Sequence, residues 1–181
     1  VAINSHYDSL LKNARDMVLL VNADGRIVQA NAAAIEAYGF TEPELLTKTV
    51  VDLRAPQARA MADADWRASA SASGALFETV HQRKDGSLIY VEVSSSAIDI
   101  EGKLYRQSFI RDVSDRKRSD NTLRRRTRAI TALSKCNYAL VHAVTVEQLT
   151  ENVCQIIVDA GGYLMAWVGF ALTDAEHTVQ A

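Results

Sequence analysis

Three acid-glycine dipeptides, Asp24-Gly25, Asp85-Gly86 and Glu101-Gly102, constrain this chain more than any other feature. Each sits between apolar-rich runs, and each suits the positive φ angles of a tight hairpin. The flanking runs are MVLLVN and RIVQA, then FETVHQRK and SLIYVEVSSSAIDI, then KLYRQSFIRDV, which makes five strands in two groups. Ile89, Val91 and Val93 alternate with Tyr90, Glu92 and Ser94, the period-2 signature of a strand with one buried face. The sheet is therefore expected to be antiparallel and covered on one side.

Residues 31 to 74 supply the cover. NAAAIEAYGF reads as a helix with Asn31 as its N-cap. In TEPELL, Thr41 and Glu44 have capping-box spacing and Pro43 lies in the first turn. The alanine-rich PQARAMADADWRASASASG is a third helical stretch, with ASASASG as its fraying end. Asn31, Tyr38, Trp66, Val91 and Val93 are candidates to line a cup between sheet and helices, core packing being the competing role for each. Trp66 stands out because a large ring with one polar atom suits a cavity wall.

At RDVSDRKR the last strand gives way to a charged helix with no Gly or Pro between them. Ser114 is placed to cap that helix and Asp115 falls in its first turn. Asp112 with Arg116, and Asp120 with Arg124, have acid-before-base spacing. Further on, Leu123, Ile130, Leu133, Asn137, Leu140 and Val144 follow a 3.5-residue rhythm, interrupted by Arg126. A homodimer through this stripe is expected, packing against the sheet being the alternative. TVEQ at Thr145 starts another helix, with Leu149, Val153, Ile156, Ile157 and Ala160 on one face and Gly161-Gly162 at its end. YLMAWVGFAL then reads as a buried strand, TDAE as a turn and HTVQA as a second strand.

The composition narrows the function classes. With 181 residues, 48% apolar content and net charge −2, the sequence fits a globular protein with a sizeable core. No 18-residue apolar run and no basic-then-apolar leader occurs, so no membrane segment is expected in this stretch. Cys136 and Cys154 lack metal spacing and read as reduced thiols in a cytoplasmic setting. His6, His81, His142 and His177 fall on different elements, and no metal site, phosphate loop, nucleophile elbow or acid-base pair stands out; the stretch reads as non-catalytic. Residues 111 to 128 carry eight basic residues against three acidic ones. Without interleaved aromatics, this reads as a solvated linker face and not a nucleic-acid site. A first residue other than Met and a strand pattern cut at Ala181 lead us to expect a segment of a longer protein.

DMVLLVNADGRIVQANAAAIEAYGFTEPELL, RKDGSLIYVEV and IRDVSDRK, in that order over roughly residues 5 to 117, resemble the PAS domain, a sensory module. The resemblance implies an α+β fold, a five-stranded antiparallel sheet with helices on one face. In that family an Asp-Val-Ser-like triplet joins the last strand to an output helix, so Asp112, Val113 and Ser114, with Arg116, are implied as signal-relay residues. AGGYLMAWVGFALTDAEHTVQ is similar to the start of a GAF domain. The expected plan is an N-terminal helix over 1–15, a PAS domain over 16–115, a helical linker over 116–144 and a truncated GAF α/β unit over 145–181. The whole resembles a sensory input module of a bacterial histidine kinase or cyclic-di-GMP signalling protein, with a downstream output domain of the same chain as partner; the alternative is a ligand-free dimerisation scaffold. No cofactor is identified. The reactive Cys of flavin photosensors is missing from the domain, and residues 55 to 74 hold no haem-ligand His, leaving a possible small-molecule ligand in the cup.

Overall fold

A computed structural model describes residues 14–69, 74–171 and 179–180. The chain forms two compact units, residues 1–117 and 118–181. The helix expected over 1–15 falls outside the described residues, apart from Ala14 and Arg15, and neither of these is helical.

The first unit is built on one antiparallel sheet of β1 (Met17–Asn22), β2 (Ile27–Ala30), β3 (Ala75–Gln82), β4 (Leu88–Ile100) and β5 (Lys103–Asp112). Their order is β2-β1-β5-β4-β3, so the last strand lies at the centre and the first hairpin at one edge. The three dipeptides turn the chain where the sequence placed them. At the third, Glu101 (φ 53°) and Gly102 (φ 77°) are both left-handed between directly paired Ile100 and Lys103, the geometry of a two-residue hairpin. Glu101 is the one non-glycine with positive φ among the described residues.

Between β2 and β3 the chain crosses one face of the sheet through α1 (Ala32–Tyr38), α2 (Glu42–Leu46), a 3₁₀ turn (Pro56–Met61) and α3 (Ala62–Ala68). The first two helices start on chemistry legible in the sequence, while α3 follows the 3₁₀ turn with no side-chain cap at Met61. The Asn31 amide oxygen caps α1, and the Glu44 carboxylate accepts both the backbone N–H and the hydroxyl of Thr41 at the head of α2. Ala34, Tyr38 and Leu45 are buried against Leu19, Val21, Ile27, Val91 and Ile110. Burying side chains of this size is worth about 1.5–3 kcal/mol each, so this one-sided core holds the helices down. Ile89, Val91 and Val93 all face it, as their alternation implied. Most of the ASASASG tract lies outside the described residues, α3 ending at Ala68 and Ser69.

In the second unit, α4 (Ser114–His142, of which the first turn belongs to the first unit) is followed by α5 (Val146–Asp159). Thr145 caps α5 by accepting from the Gln148 N–H, as expected. Leu123, Ile130, Leu133 and Leu140 are all exposed on α4, and nothing among the described residues covers their stripe. Val144, counted in that stripe, falls beyond the end of the helix. The buried strand expected over YLMAWVGFAL is corrected. Of its described residues only Phe170–Ala171 is strand (β6), paired antiparallel with Val179–Gln180 (β7). Leu164 is fully exposed and Trp167 largely so. Apolar content alone does not make a strand without a neighbouring sheet to accept its backbone groups. The expected TDAE turn lies outside the described residues.

Candidate functional site

The sheet, α3, the β1–β2 turn and residues 49–54 line a cavity of about 240 Å³ that is open to solvent on one side. Its sheet side is set by period 2 along three strands. Leu19 on β1, Ser108 and Ile110 on β5, and Val93 and Ser95 on β4 form neighbouring rows, since Leu19 pairs with Ser108, Ser108 with Ser95 and Ile110 with Val93. Phe77 and His81 of β3 complete that side. The opposite side comes from Leu53, Arg54, Ala62, Asp65, Trp66 and Ser69, and exposed Asp24 and Asp63 sit at the edge.

Polar groups inside this cup are paired with care. The hydroxyls of Ser95 and Ser108, both buried, share a hydrogen bond of 2.9 Å. Arg54, only 5% exposed, holds Asp65 at 2.7 Å and lies over the Phe77 ring. His81 Nδ1 meets the Tyr38 hydroxyl at 2.6 Å in the core. Burial first, and the charge of Arg54 second, push His81 down to about pKa 3, so its imidazole is neutral. Burial, reinforced by Asp112, raises Tyr38 and keeps its phenol protonated. Arg106 covers the other side of the structure's aromatic wall, its guanidinium carbon 3.4 Å from the Trp66 ring centre.

Of the five cup residues named from sequence, Trp66 and Val93 line the cavity. Asn31, Tyr38 and Val91 are buried beside it and are not among its lining residues. Asn31 instead fastens β1 to α1: its Oδ1 accepts from Val18 N (2.9 Å) and Ala34 N (3.0 Å), and its Nδ2 donates to the Asp16 carbonyl (3.0 Å). Sequence reasoning missed Arg54, Ser95 and Ser108 in the lining, and Arg106, which packs on Trp66 without lining the cavity. A signal was present, because extending the Ile89-Val91-Val93 alternation puts Ser95 inward, and counting back from Ile110 puts Ser108 and Arg106 inward as well.

The strand-to-helix junction is bonded throughout. Val113 N donates to the Tyr90 carbonyl (2.8 Å) and Tyr90 N donates to Ser114 Oγ (3.0 Å). The expected capping role of Ser114 is thereby corrected: its hydroxyl serves β4, while the Asp112 carboxylate accepts the Ser114 N–H at 2.8 Å. Nor does Arg116 turn back to Asp112, which lies on the strand. Arg116 binds Glu78 of β3 at 2.7 Å and approaches Glu92 of β4 at 3.6 Å, Lys117 also pairs with Glu78, and Asp112 meets Arg83 at 3.4 Å. Exposed pairs of this kind contribute at most about 1 kcal/mol each, so they orient the first turn more than they stabilise it. Ser114→Ala is expected to cost about 1 kcal/mol and to speed amide exchange at Tyr90 by roughly ten-fold, read by hydrogen-exchange NMR; unchanged exchange at Tyr90 would remove Ser114 from the junction.

Among the described residues no cluster of three or more His, Cys, Asp or Glu side chains is placed to hold a metal ion. Cys136 and Cys154 are free thiols. No described helix is long and apolar enough to cross a membrane.

A family model for the PAS domain matches residues 15–115. Solved structures share this architecture. The PAS domain of an HTR-like protein from Haloarcula marismortui is 24% identical with a TM-score of 0.56, over 61% of this chain and 92% of that one. A domain of a sensory box sensor histidine kinase/response regulator from Geobacter sulfurreducens is 22% identical with a TM-score of 0.54, over 61% and 94% of the two chains. A light-oxygen-voltage protein from Rhodobacter sphaeroides, 14% identical, covers 88% of this chain and 92% of its own with a TM-score of 0.54. At these identities the likeness concerns the fold. Among curated proteins the comparison found no match.

Proposed function

The chain belongs to the PAS family, and from that premise we propose that it is a cytoplasmic sensory input segment whose cavity binds a small molecule and whose α4 carries the consequence to an output domain. One observation carries this reading. Ser108 and Ile110, which face the cavity, stand on the same strand that ends at Asp112 and passes without a loop into the bonded first turn of α4. A shift of β5 has no slack in which to dissipate before it reaches the helix. The similar Geobacter sulfurreducens structure, a domain of a sensory box sensor histidine kinase/response regulator, favours an output of that kind.

The uncovered stripe of Leu123, Ile130, Leu133 and Leu140 supports a homodimer through α4, in which the relay would restack paired helices. We extend the reading to residues 145–181 as the start of a GAF unit, on the sequence resemblance and the capped α5. Native mass spectrometry with an absorbance scan tests the sensory reading. A co-purified adduct of fixed mass that is lost on replacing Ser108 by Val supports it. A clean dimer with no adduct, and no response of the parent's output to Arg126→Leu or to deletion of four residues after Asn121, leaves a scaffold.

A further inference from the structure

His81 brings to the cavity a hydrogen-bond donor that nothing among the described residues uses. It stands on β3, 5% exposed, as one of the lining residues. The Tyr38 hydroxyl has one hydrogen-bond partner, His81 Nδ1, so the phenol donates, Nδ1 accepts and the ring proton sits on Nε2. That Nε2–H has no acceptor among the described residues. Nor is it sealed in. Arg106 Nε is the one sealed side-chain nitrogen or oxygen without a partner among those residues, so Nε2 of His81 opens on the cavity. A buried donor without an acceptor is costly, and a ligand that brings the acceptor regains that cost.

Strand register places this donor at one end of the cavity and the mouth at the other. Ala75 of β3 faces Ser95, and His81 stands further along the same strand, about 20 Å away at ~3.3 Å per residue. Ser95 faces Ser108, and Arg106, the next inward residue of β5, stacks on Trp66. Gly25 lies against the edge of that indole, beside exposed Asp24, and Asp63 is one turn before Trp66 on α3. The acidic edge therefore belongs to the serine end. Phe77, Val93 and Ile110, in register across three strands, form the apolar middle.

Charge on the lining decides which head can reach His81. One guanidinium, Arg54, stands against three carboxylates, and it is already paired with Asp65 at 2.7 Å. An ionised head would be desolvated at His81 with no free counter-charge, and an anion would also have to pass Asp24 and Asp63. The head is therefore uncharged, and it accepts. A carbonyl oxygen accepts without carrying a proton that needs a partner of its own. The volume of about 240 Å³, below the ~300–1,000 Å³ of drug-sized sites, keeps the molecule small.

Resting on the sensory reading above, we infer that the cavity takes a small uncharged carbonyl compound with an elongated apolar body, a ketone, aldehyde or ester, whose oxygen accepts the His81 Nε2–H. The body lies along Phe77, Val93 and Ile110 toward Trp66.

The test uses heptan-2-one and hexanoate, alike in shape and different in the charge of the head, on the 181-residue chain at neutral pH. Heptan-2-one at about four times its dissociation constant is expected to raise the thermal midpoint by roughly 4–8 °C, and hexanoate at the same concentration by under about 1 °C. Long-range proton–nitrogen NMR of the His81 ring, assigned through its backbone, reads the bond itself. Nε2 should carry the proton in the free chain, and that proton should move downfield with heptan-2-one and stay in place with hexanoate. A proton on Nδ1 in the free chain, or a midpoint raised by the ketone with Nε2–H unmoved, overturns the role of His81. A shift with hexanoate equal to that with the ketone, or larger, overturns the uncharged class and leaves a small-ligand cavity standing. No shift with either probe also overturns the inference, and the co-purified adduct then decides the sensory reading separately.

Discussion

Replacing Asn31 by Ala is expected to lower the stability of the first unit by about 3 kcal/mol, more than any exposed ion pair in the structure can contribute. The loss has three physical parts. The cap of α1 goes, at about 1 kcal/mol; the Val18 N–H loses its acceptor, and the Asp16 carbonyl its donor, at about 1 kcal/mol or more each because the site is sheltered from water. Asn31 is 8% exposed, so water does not simply replace the amide. Asn31→Asp keeps both acceptor bonds and loses the Nδ2 donor, and should cost roughly a third as much. Urea unfolding followed by Trp66 fluorescence in a Trp167→Phe background isolates this unit from the second. A loss below about 1 kcal/mol for Asn31→Ala would show that the clasp is redundant.

The second large effect is acid destabilisation through His81. Its folded pKa of about 3 lies below the ordinary value of 6.5, so in the interval between them the unfolded chain binds a proton that the folded chain refuses. The stability this provides is fully present above pH ~6.5 and drains away as pH falls through the interval toward ~3. By pH 4 the loss approaches about 3 kcal/mol, an upper figure at ~1.4 kcal/mol per pH unit. Carboxylates add to the trend only at lower pH. Glu44, held down to about 2 chiefly by Lys84, and Glu78, lowered first by Lys117, lose their partners' benefit below their ordinary values. Urea midpoints of the first unit between pH 7 and 4 should therefore fall from the high end of the range, and His81→Asn should flatten the curve above pH ~5. A wild-type curve flat from pH ~6.5 to ~5, or an unchanged slope in the variant, would contradict the buried neutral imidazole.

Much of this fold was legible because its signals are local. Acid-glycine turns, the alternation of Ile89, Val91 and Val93, and the capping chemistry of Asn31 and Glu44 each act within a few residues, and each element formed where its own residues asked for it. The cavity was legible in part. Trp66 and Val93 were found by size and periodicity, while Arg54 was not, because its burial depends on Asp65 and on the crossing of β3 beneath it. Arg106 could have been found by carrying the period-2 count back from Ile110, and a charged residue on an inward position was the clue. Ser114 was assigned to the wrong bond for a related reason: local capping rules see the helix but not Tyr90, whose free N–H on the neighbouring strand claims the hydroxyl. The strand expected across YLMAWVGFAL failed because a strand is completed by its neighbours, and apolar content says nothing about where they are.

The cavity floor and the start of α4 form one hydrogen-bonded body. Hydrogen exchange on the intact chain, resolved at single amides, tests it most directly. Val113 N, bonded to Tyr90, and Lys117 N, bonded to Val113, should exchange with protection close to that of Val91 and Val93 on β4. Exchange of Val113 and Lys117 within about ten-fold of an unstructured peptide, with Val91 and Val93 still protected, would show a loose tether where a rigid junction is claimed.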